Sequence, residues 1–206
     1  MKKWKKDLPN CLHGPDDLKR LIFLAEHLHK TLQLLGTQHF LCYESLWGAL
    51  YNEGPRTWDW IIEFCLIGPE LFSDQDEGIV AKTFKSQGLV LQYDVLDGSY
   101  TVRLTEGPHA GLPDASESDV SGRLIPFRSG LNKPPKFMRR SGLKRAVLPE
   151  DCENQLLECF PAHLALLPLP LIKYGTLSLP APREGMEIQK YHYPDDWWLQ
   201  RKIPPC

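Results

Sequence analysis

The stretch GALYNEGPRTWDWIIEFCLIG, residues 48–68, decides the fold. It reads as a glycine turn, a loop through Pro55, and then a strand over 60–67 that is apolar on both faces. Such a strand belongs in the interior of a sheet covered on each side. One carboxylate, Glu63, interrupts it, and a second, Asp59, stands just before it. Side chains two apart on a strand share a face, so Asp59, Ile61 and Glu63 are expected to point the same way. Acids on one face suit a hard divalent cation, but isoleucine in the middle supplies no ligand. A carboxylate buried inside WIIEFCLI also needs a partner or a raised pKa. His109 or an arginine is the expected partner.

Before this stretch, Leu18, Leu21, Ile22, Ala25, Leu28, Leu32 and Leu35 recur in steps of three and four. That spacing predicts one amphipathic helix over 16–35, capped by Asp16 or Asp17 and ended at Gly36. His27 and His29 lie two apart and cannot share a helix face, which argues against a metal pair there. HFLCY (39–43) reads as a short strand, and ESLWGALYNEG as a turn or helix start. After it come a helix near 75–87 and a hairpin over 89–104, with Asp97-Gly98 as a two-residue primed turn.

Residues 107–150 read mostly as loop, with a short strand at RLIPF (123–127). A short helix or turn is expected over 149–160, and two strands around Gly175 over 171–182. A last helix precedes PDDWW, with Trp197 and Trp198 packing it onto the core. No internal repeat is present. The expected architecture is an α/β fold: one mixed-sheet domain over 16–206 behind a tail of 1–15, with a loop-rich C-terminal half.

Composition agrees with a globular domain. The chain has 206 residues, 42% of them hydrophobic and 24% charged, enough for one well-buried domain. A formal net charge of -2 argues against a dedicated nucleic-acid binder. No apolar run approaches the roughly eighteen residues of a membrane span. The basic start, MKKWKKDLPNCLHG, has no apolar stretch behind it, so no secretory signal is read there and a soluble, cytosolic chain is expected unless it is a fragment. The six cysteines (11, 42, 65, 152, 159 and 206) include no CxxC spacing, which argues against a zinc ribbon. Cys42 and Cys65 sit in apolar runs and are expected as buried free thiols. Cysteine usage leaves the compartment open.

Three segments in order resemble the LicD family, which includes the fukutin and fukutin-related proteins. FLCYESLWGALYNEG is similar to that family's aromatic–Gly–Thr/Ser–Leu–Leu–Gly–Ala–Val–Arg signature. TWDWIIEF is similar to its Pro-Trp followed by alternating aspartates. LIKYGTLSLPAPREGMEIQKYHYPDDWW is similar to its closing hairpin, Pro-x-Pro, helix and Asp-Trp. The likeness runs from about residue 17 to 199 and implies a nucleotidyltransferase-like fold. It also implies transfer of a phosphorylated alcohol from a CDP-linked donor to a glycan acceptor with Mg²⁺ or Mn²⁺. By the same resemblance, Asp59 and Glu63 are the metal-site acids, and Ser45 and Gly48 fall in the donor-binding segment. Animal members that work in this way sit in the Golgi lumen behind an N-terminal anchor.

The same comparison shows what has changed. Ile61 stands at an aspartate of the family pattern, and Gly111, in EGPHAGLPD, at another; Asp114 replaces it only if the loop is shifted. Glu44 stands at a glycine that lets the backbone approach donor phosphates. A like charge about 4 Å from a phosphate costs roughly 4 kcal/mol at an effective dielectric of about 20. Tyr51 replaces an arginine, removing a phosphate-binding cation. The resemblance therefore implies a divergent, catalytically impaired member linked to glycan phosphorylation, with no cofactor expected.

Two alternatives stay open. One is an active metal-dependent phosphotransferase of the same family, with Mg or Mn held by Asp59, Glu63 and Asp114. The other is a non-enzymatic protein that binds anionic partners through KPPKFMRRSGLKR (133–145), which carries six cations and no acid. Its anion-binding candidates are Arg139, Arg140, Lys144 and Arg145. The bland reading of that segment is a solvated Pro/Gly loop. For Ser45 it is a hydrogen bond at a turn or helix cap, and for Asp59 a loop residue or turn cap.

Overall fold

The leucine stripe forms helix α1, Pro15–Leu34, in a computed structural model that describes residues 15–68, 77–105, 120–129, 136–148, 152 and 158–198. Leu21, Leu24, Ala25, Leu28 and Leu32 are fully buried along it, as the three-four spacing requires. The helix already starts at Pro15, a residue suited to the first helical position because the N–H it lacks has no helical partner there. Asp16 and Asp17 therefore lie inside the first turn, facing Lys19 and Arg20, rather than capping it.

Strand β1 (Gln38–Leu41) leads into helix α2 (Tyr43–Asn52), and β2 (Ile61–Ile67) follows after a loop. Gly48 thus lies within a helix, and the turn begins only at Glu53. Next come α3 (Glu77–Ser86), the hairpin β3 (Leu89–Asp94) and β4 (Ser99–Leu104), then β5 (Ser121–Ser129), β6 (Phe137–Arg140) and the short α4 (Leu143–Ala146). The two-residue β7 (Phe160–Pro161), a 3₁₀ turn (Ala162–Ala165), the hairpin β8 (Leu171–Tyr174) and β9 (Leu177–Pro180), and α5 (Gly185–His192) complete the order.

Strands β1 to β7 form one curled, mixed sheet, with the order β1-β2-β5-β4-β3 and with β6 and β7 branching from β5. Only β2 and β5 run parallel; the other pairs are antiparallel. Strand β5 is long enough to pair with β4 along Gly122–Leu124 and with β6 along Phe127–Ser129. The apolar run WIIEFCLI is thereby placed inside the sheet, between β1 and β5. Ile62, Phe64 and Leu66 face the helix α1 side, where Leu28 rests against Gly122. The alternate face carries Ile61 and Glu63, and Glu63 pairs in register with Arg123, and Arg123 with Thr101.

Several sequence expectations are corrected. The β3–β4 turn has four residues, not two, because Asp94 pairs with Ser99. The Asp94 carboxylate accepts the N–H groups of Leu96 and Asp97, and Gly98 takes the left-handed φ of 69° that closes the turn. The basic segment is not simply a solvated loop: Phe137–Arg140 is a strand, and Arg139 and Arg140 are buried. Trp198 is 60% exposed, so it does not pack α5 onto the core. Cys42 and Cys65 are joined in a disulfide, as are Cys152 and Cys159, each with Cα atoms 5.7 Å apart. Antiparallel pairing of Phe40 with Cys65 and of Leu41 with Phe64 brings Cys42 within reach, a proximity that sequence spacing does not reveal.

Candidate functional site

Strand β1 stops pairing at Leu41, leaving the start of β2 short of ladder partners. Helix α2 fills the gap. The Cys42 N–H donates to the Glu63 carbonyl at 3.2 Å. Buried Ser45 then accepts the Glu63 N–H at 2.7 Å and donates to the Ile61 carbonyl at 3.3 Å. Its hydroxyl extends the sheet by side-chain hydrogen bonds, and α2 is thereby fixed against β2.

Gly48 serves close packing. A Cβ there would sit 2.7 Å from the Gly54 carbonyl oxygen and 3.3 Å from Oδ2 of Asp59. The loop after α2 can therefore fold back along the helix and carry Arg56 and Asp59 to the head of β2. Asp59 is buried, and Arg56 saturates it: the Arg56 backbone N–H donates to Oδ2 at 2.8 Å, and the guanidinium Nη2 donates to Oδ1 at 2.8 Å. The same Nη2 pairs with Glu44 Oε2, and Tyr193 donates its hydroxyl to Glu44 Oε1 at 2.9 Å. Trp58 covers the guanidinium, 5.2 Å from ring centroid to Cζ. Burial pushes the Asp59 pKa up against the pull of Arg56. Burial also works against the Arg56 charge, yet Asp59 and Glu44 hold its pKa above the ordinary value.

Glu63 is buried differently. Its Oε2 accepts the Glu44 N–H, in the first turn of α2, at 2.9 Å. Its Oε1 lies 3.8 Å from Arg123 Nη1, a looser ion pair. Burial pushes its pKa up to about 7, with Glu44 and Asp59 adding to the rise while the Glu44 N–H and Arg123 oppose it. The sequence expected an arginine or His109 beside Glu63, and Arg123 takes that place; His109 lies outside the described residues.

From Arg123 the charges continue as a chain. Arg123 donates to Asp97 at 2.7 Å, Arg140 donates to the same oxygen at 2.5 Å, and Arg140 grips Glu158 with Nη1 at 2.6 and 2.9 Å. Tyr43, whose backbone has a left-handed φ of 48°, donates its hydroxyl to Glu158 at 2.7 Å and stacks its ring on His192. Although burial opposes it, Asp97 is held down at about 2 by hydrogen bonds from Ser99 and Arg123 and by the Arg140 charge. His192 is buried with neither ring nitrogen hydrogen-bonded, and burial pushes its pKa down to about 3.

The structure brings Ser45, Glu44, Asp59 and Glu63 together where β2 begins, with Gly48 packed behind them. Ile61 shares the Glu63 face and is 41% exposed. Tyr51, exposed, lies on α2 with its ring stacked on Trp47. Gly111 and Asp114 lie outside the described residues. Of the anion-binding candidates, Arg139 is buried, Arg140 and Arg145 reach Asp97 and Glu158, and Lys144 is exposed. Sequence reasoning missed Arg56, Arg123 and Tyr193. The first two had a signal: an arginine three residues before Asp59, and a lone arginine entering the apolar run RLIPF.

Asp59 as arranged is not open to Mg²⁺ or Mn²⁺. Those ions need carboxylate lone pairs of their own, and both Asp59 oxygens already accept from Arg56. Among the described residues, no group of three or more His, Cys, Asp and Glu side chains is arranged to hold a metal ion. No helix among them is long and apolar enough to cross a membrane. No protein-family model matches the chain, and no curated protein matches it.

Proposed function

We propose that this protein is a divergent, catalytically impaired relative of the LicD and fukutin-related group, retaining a binding or scaffolding role in glycan phosphorylation. The observation that carries the reading is the Arg56 clamp on Asp59 and Glu44. The resemblance calls for a divalent cation beside Asp59, and a guanidinium takes up that carboxylate instead. A fixed positive charge can hold the acids together, but it offers no open coordination position to a phosphate oxygen. Glu44, which at first reads as a charge repelling a donor phosphate, is a partner of Arg56. The two disulfides suit an oxidising compartment, the setting in which the resemblance places working members.

Thermal melts of the whole chain with Mn²⁺, alone and with CDP or CTP, test the reading. The expected result is no metal-dependent rise in melting temperature for the wild type, and a rise for Arg56→Met, whose acids are released. A wild-type shift that needs both metal and nucleotide would overturn it in favour of an active phosphotransferase.

A further inference from the structure

We infer that His29 and His39 form a binding site for a transition-metal dication of the Cu²⁺, Ni²⁺ and Zn²⁺ class, held by two imidazole nitrogens and open to an outside ligand. Sequence spacing argues against His27 as a partner for His29, and the fold supplies a different one. Gly36, with a left-handed φ of 65°, ends α1. Its N–H donates to the Gln33 carbonyl at 3.0 Å, and the Thr37 N–H donates to the Leu32 carbonyl at 2.9 Å. The chain reverses there, and β1 carries His39 back beside the last turns of α1. His29 Nδ1 and His39 Nε2 are 2.8 Å apart.

The pair is prepared as metal ligands are. A carbonyl only accepts, so in the 2.7 Å contact between His39 Nδ1 and the Thr37 carbonyl the ring nitrogen donates. That bond fixes the ring and, with burial keeping it neutral, leaves the Nε2 lone pair directed at His29. His29 Nδ1 then donates its proton to this lone pair. With that proton on its other nitrogen, both facing nitrogens offer lone pairs to an ion. Two nitrogens about 2.0 Å from one ion and at right angles around it lie about 2.8 Å apart, which suits the tetragonal geometry of Cu²⁺ and Ni²⁺. The observed separation is the same 2.8 Å.

The pair borders a cleft of about 350 Å³, lined also by Gln33, Thr37, Leu167, Leu169 and Pro180. Gln33, four residues after His29, adds an amide oxygen to the same side of α1. None of the described lining residues is a lysine or arginine, so no cation takes up the lone pairs as Arg56 does at Asp59. No described cysteine is a free thiol that would draw the ion away. Imidazole suits Cu²⁺, Ni²⁺ and Zn²⁺, whereas Mg²⁺ prefers carboxylate and water oxygens. Two protein ligands beside an open cleft make an exchangeable site, unlike a structural zinc site closed by four.

The test is calorimetric titration of the chelator-treated full chain with Cu²⁺, Ni²⁺, Zn²⁺ and Mg²⁺. Cu²⁺ should bind tightest, Ni²⁺ and Zn²⁺ more weakly, and Mg²⁺ not at all. His29→Gln lowers the Cu²⁺ affinity at least about tenfold, and His27→Gln, which leaves the pair intact, does not. In the wild type, Zn²⁺ should move the imidazole nitrogen magnetic resonances of His29 and His39 together, a reading that needs no variant. Absence of binding by all three transition metals would overturn the proposal. So would a Cu²⁺ affinity unchanged by His29→Gln, or Zn²⁺ shifts confined to other histidines. His29→Gln leaves Asp59 untouched, so this result and the Mn²⁺ melts fail separately.

Discussion

Arg56 grips Asp59 from two directions at once: its backbone N–H donates to Oδ2 at 2.8 Å while its guanidinium Nη2 donates to Oδ1 at 2.8 Å. A third contact, from the same guanidinium to Glu44, ties the loop after α2 back to the start of that helix. The head of β2 is therefore organised around a cation that the chain itself supplies. Its planar fork suits two carboxylates better than a lysine ammonium would.

Replacing Arg56 should expose this dependence. Arg56→Met leaves Asp59 buried without its partner, and breaking a buried pair from one side costs about 3–5 kcal/mol. Arg56→Met with Asp59→Asn removes both charges and should recover a substantial part of that loss. Urea denaturation followed by tryptophan fluorescence measures both variants. A single variant as stable as the wild type would show that the pair contributes nothing to the fold.

The Cys42–Cys65 bridge links the residue before α2 to the centre of β2, and both cysteines are fully buried. Closing a loop between positions 23 apart should stabilise the chain by about 2–4 kcal/mol. Cys42→Ala with Cys65→Ala is expected to lose about that much, with the loss largest where α2 meets β2. Peptide mapping without reductant should recover the Cys42- and Cys65-containing peptides as one linked species. Finding both as free thiols in protein from an oxidising compartment would refute the pairing.

What the sequence made legible follows from periodicity. The stripe of α1 and the apolar run of β2 are long, and each announces its period over enough residues to be unambiguous. The turn at 95–98 was misjudged because Asp97-Gly98 carries the signature of a two-residue turn, while the Asp94 carboxylate, by bonding to the turn N–H groups, selects a four-residue one. The segment 133–145 was read by charge alone. Arg140 can be buried because Asp97 and Glu158, distant in sequence, are brought to it by the β3–β4 turn and by the chain before β7. The acids at 59 and 63 were visible as candidates, but their partners were not. Arg123 reaches Glu63 only because β2 and β5 run parallel in a register that places the two opposite one another.

Ser45 offers a local test of how α2 is attached. Ser45→Ala removes the acceptor for the Glu63 N–H and the donor to the Ile61 carbonyl, leaving both groups buried or half-paired. The expected cost is about 1–3 kcal/mol. Hydrogen exchange should quicken at the Glu63 amide more than at the Phe64 or Cys65 amides. Uniform quickening along β2 would mean that Ser45 acts on global stability and not on the ladder.

Glu63 gives the chain a distinctive pH dependence. Its pKa lies near 7 in the folded chain against an ordinary 4.5. Between about 4.5 and 7 the folded state keeps a proton that the unfolded state releases, so this group's contribution to stability falls as pH rises. Above 7 both states are ionised and the penalty is constant, about 3 kcal/mol. Two buried histidines act in the opposite sense. His39 and His192, pushed down by burial to about 4 and about 3 from 6.5, weaken the fold as pH falls below 6.5. Only a difference between variants isolates the carboxylate. Glu63→Gln keeps an oxygen for the Glu44 N–H and abolishes the titration. It should be more stable than the wild type at pH 8 by up to about 3 kcal/mol, a figure that already includes the attraction of Arg123 for the carboxylate. That advantage should shrink steadily through neutral pH and reach its minimum near pH 4.5. Denaturation midpoints measured for both proteins across this range provide the check, and a difference that does not change with pH would show that Glu63 does not carry its proton in the fold.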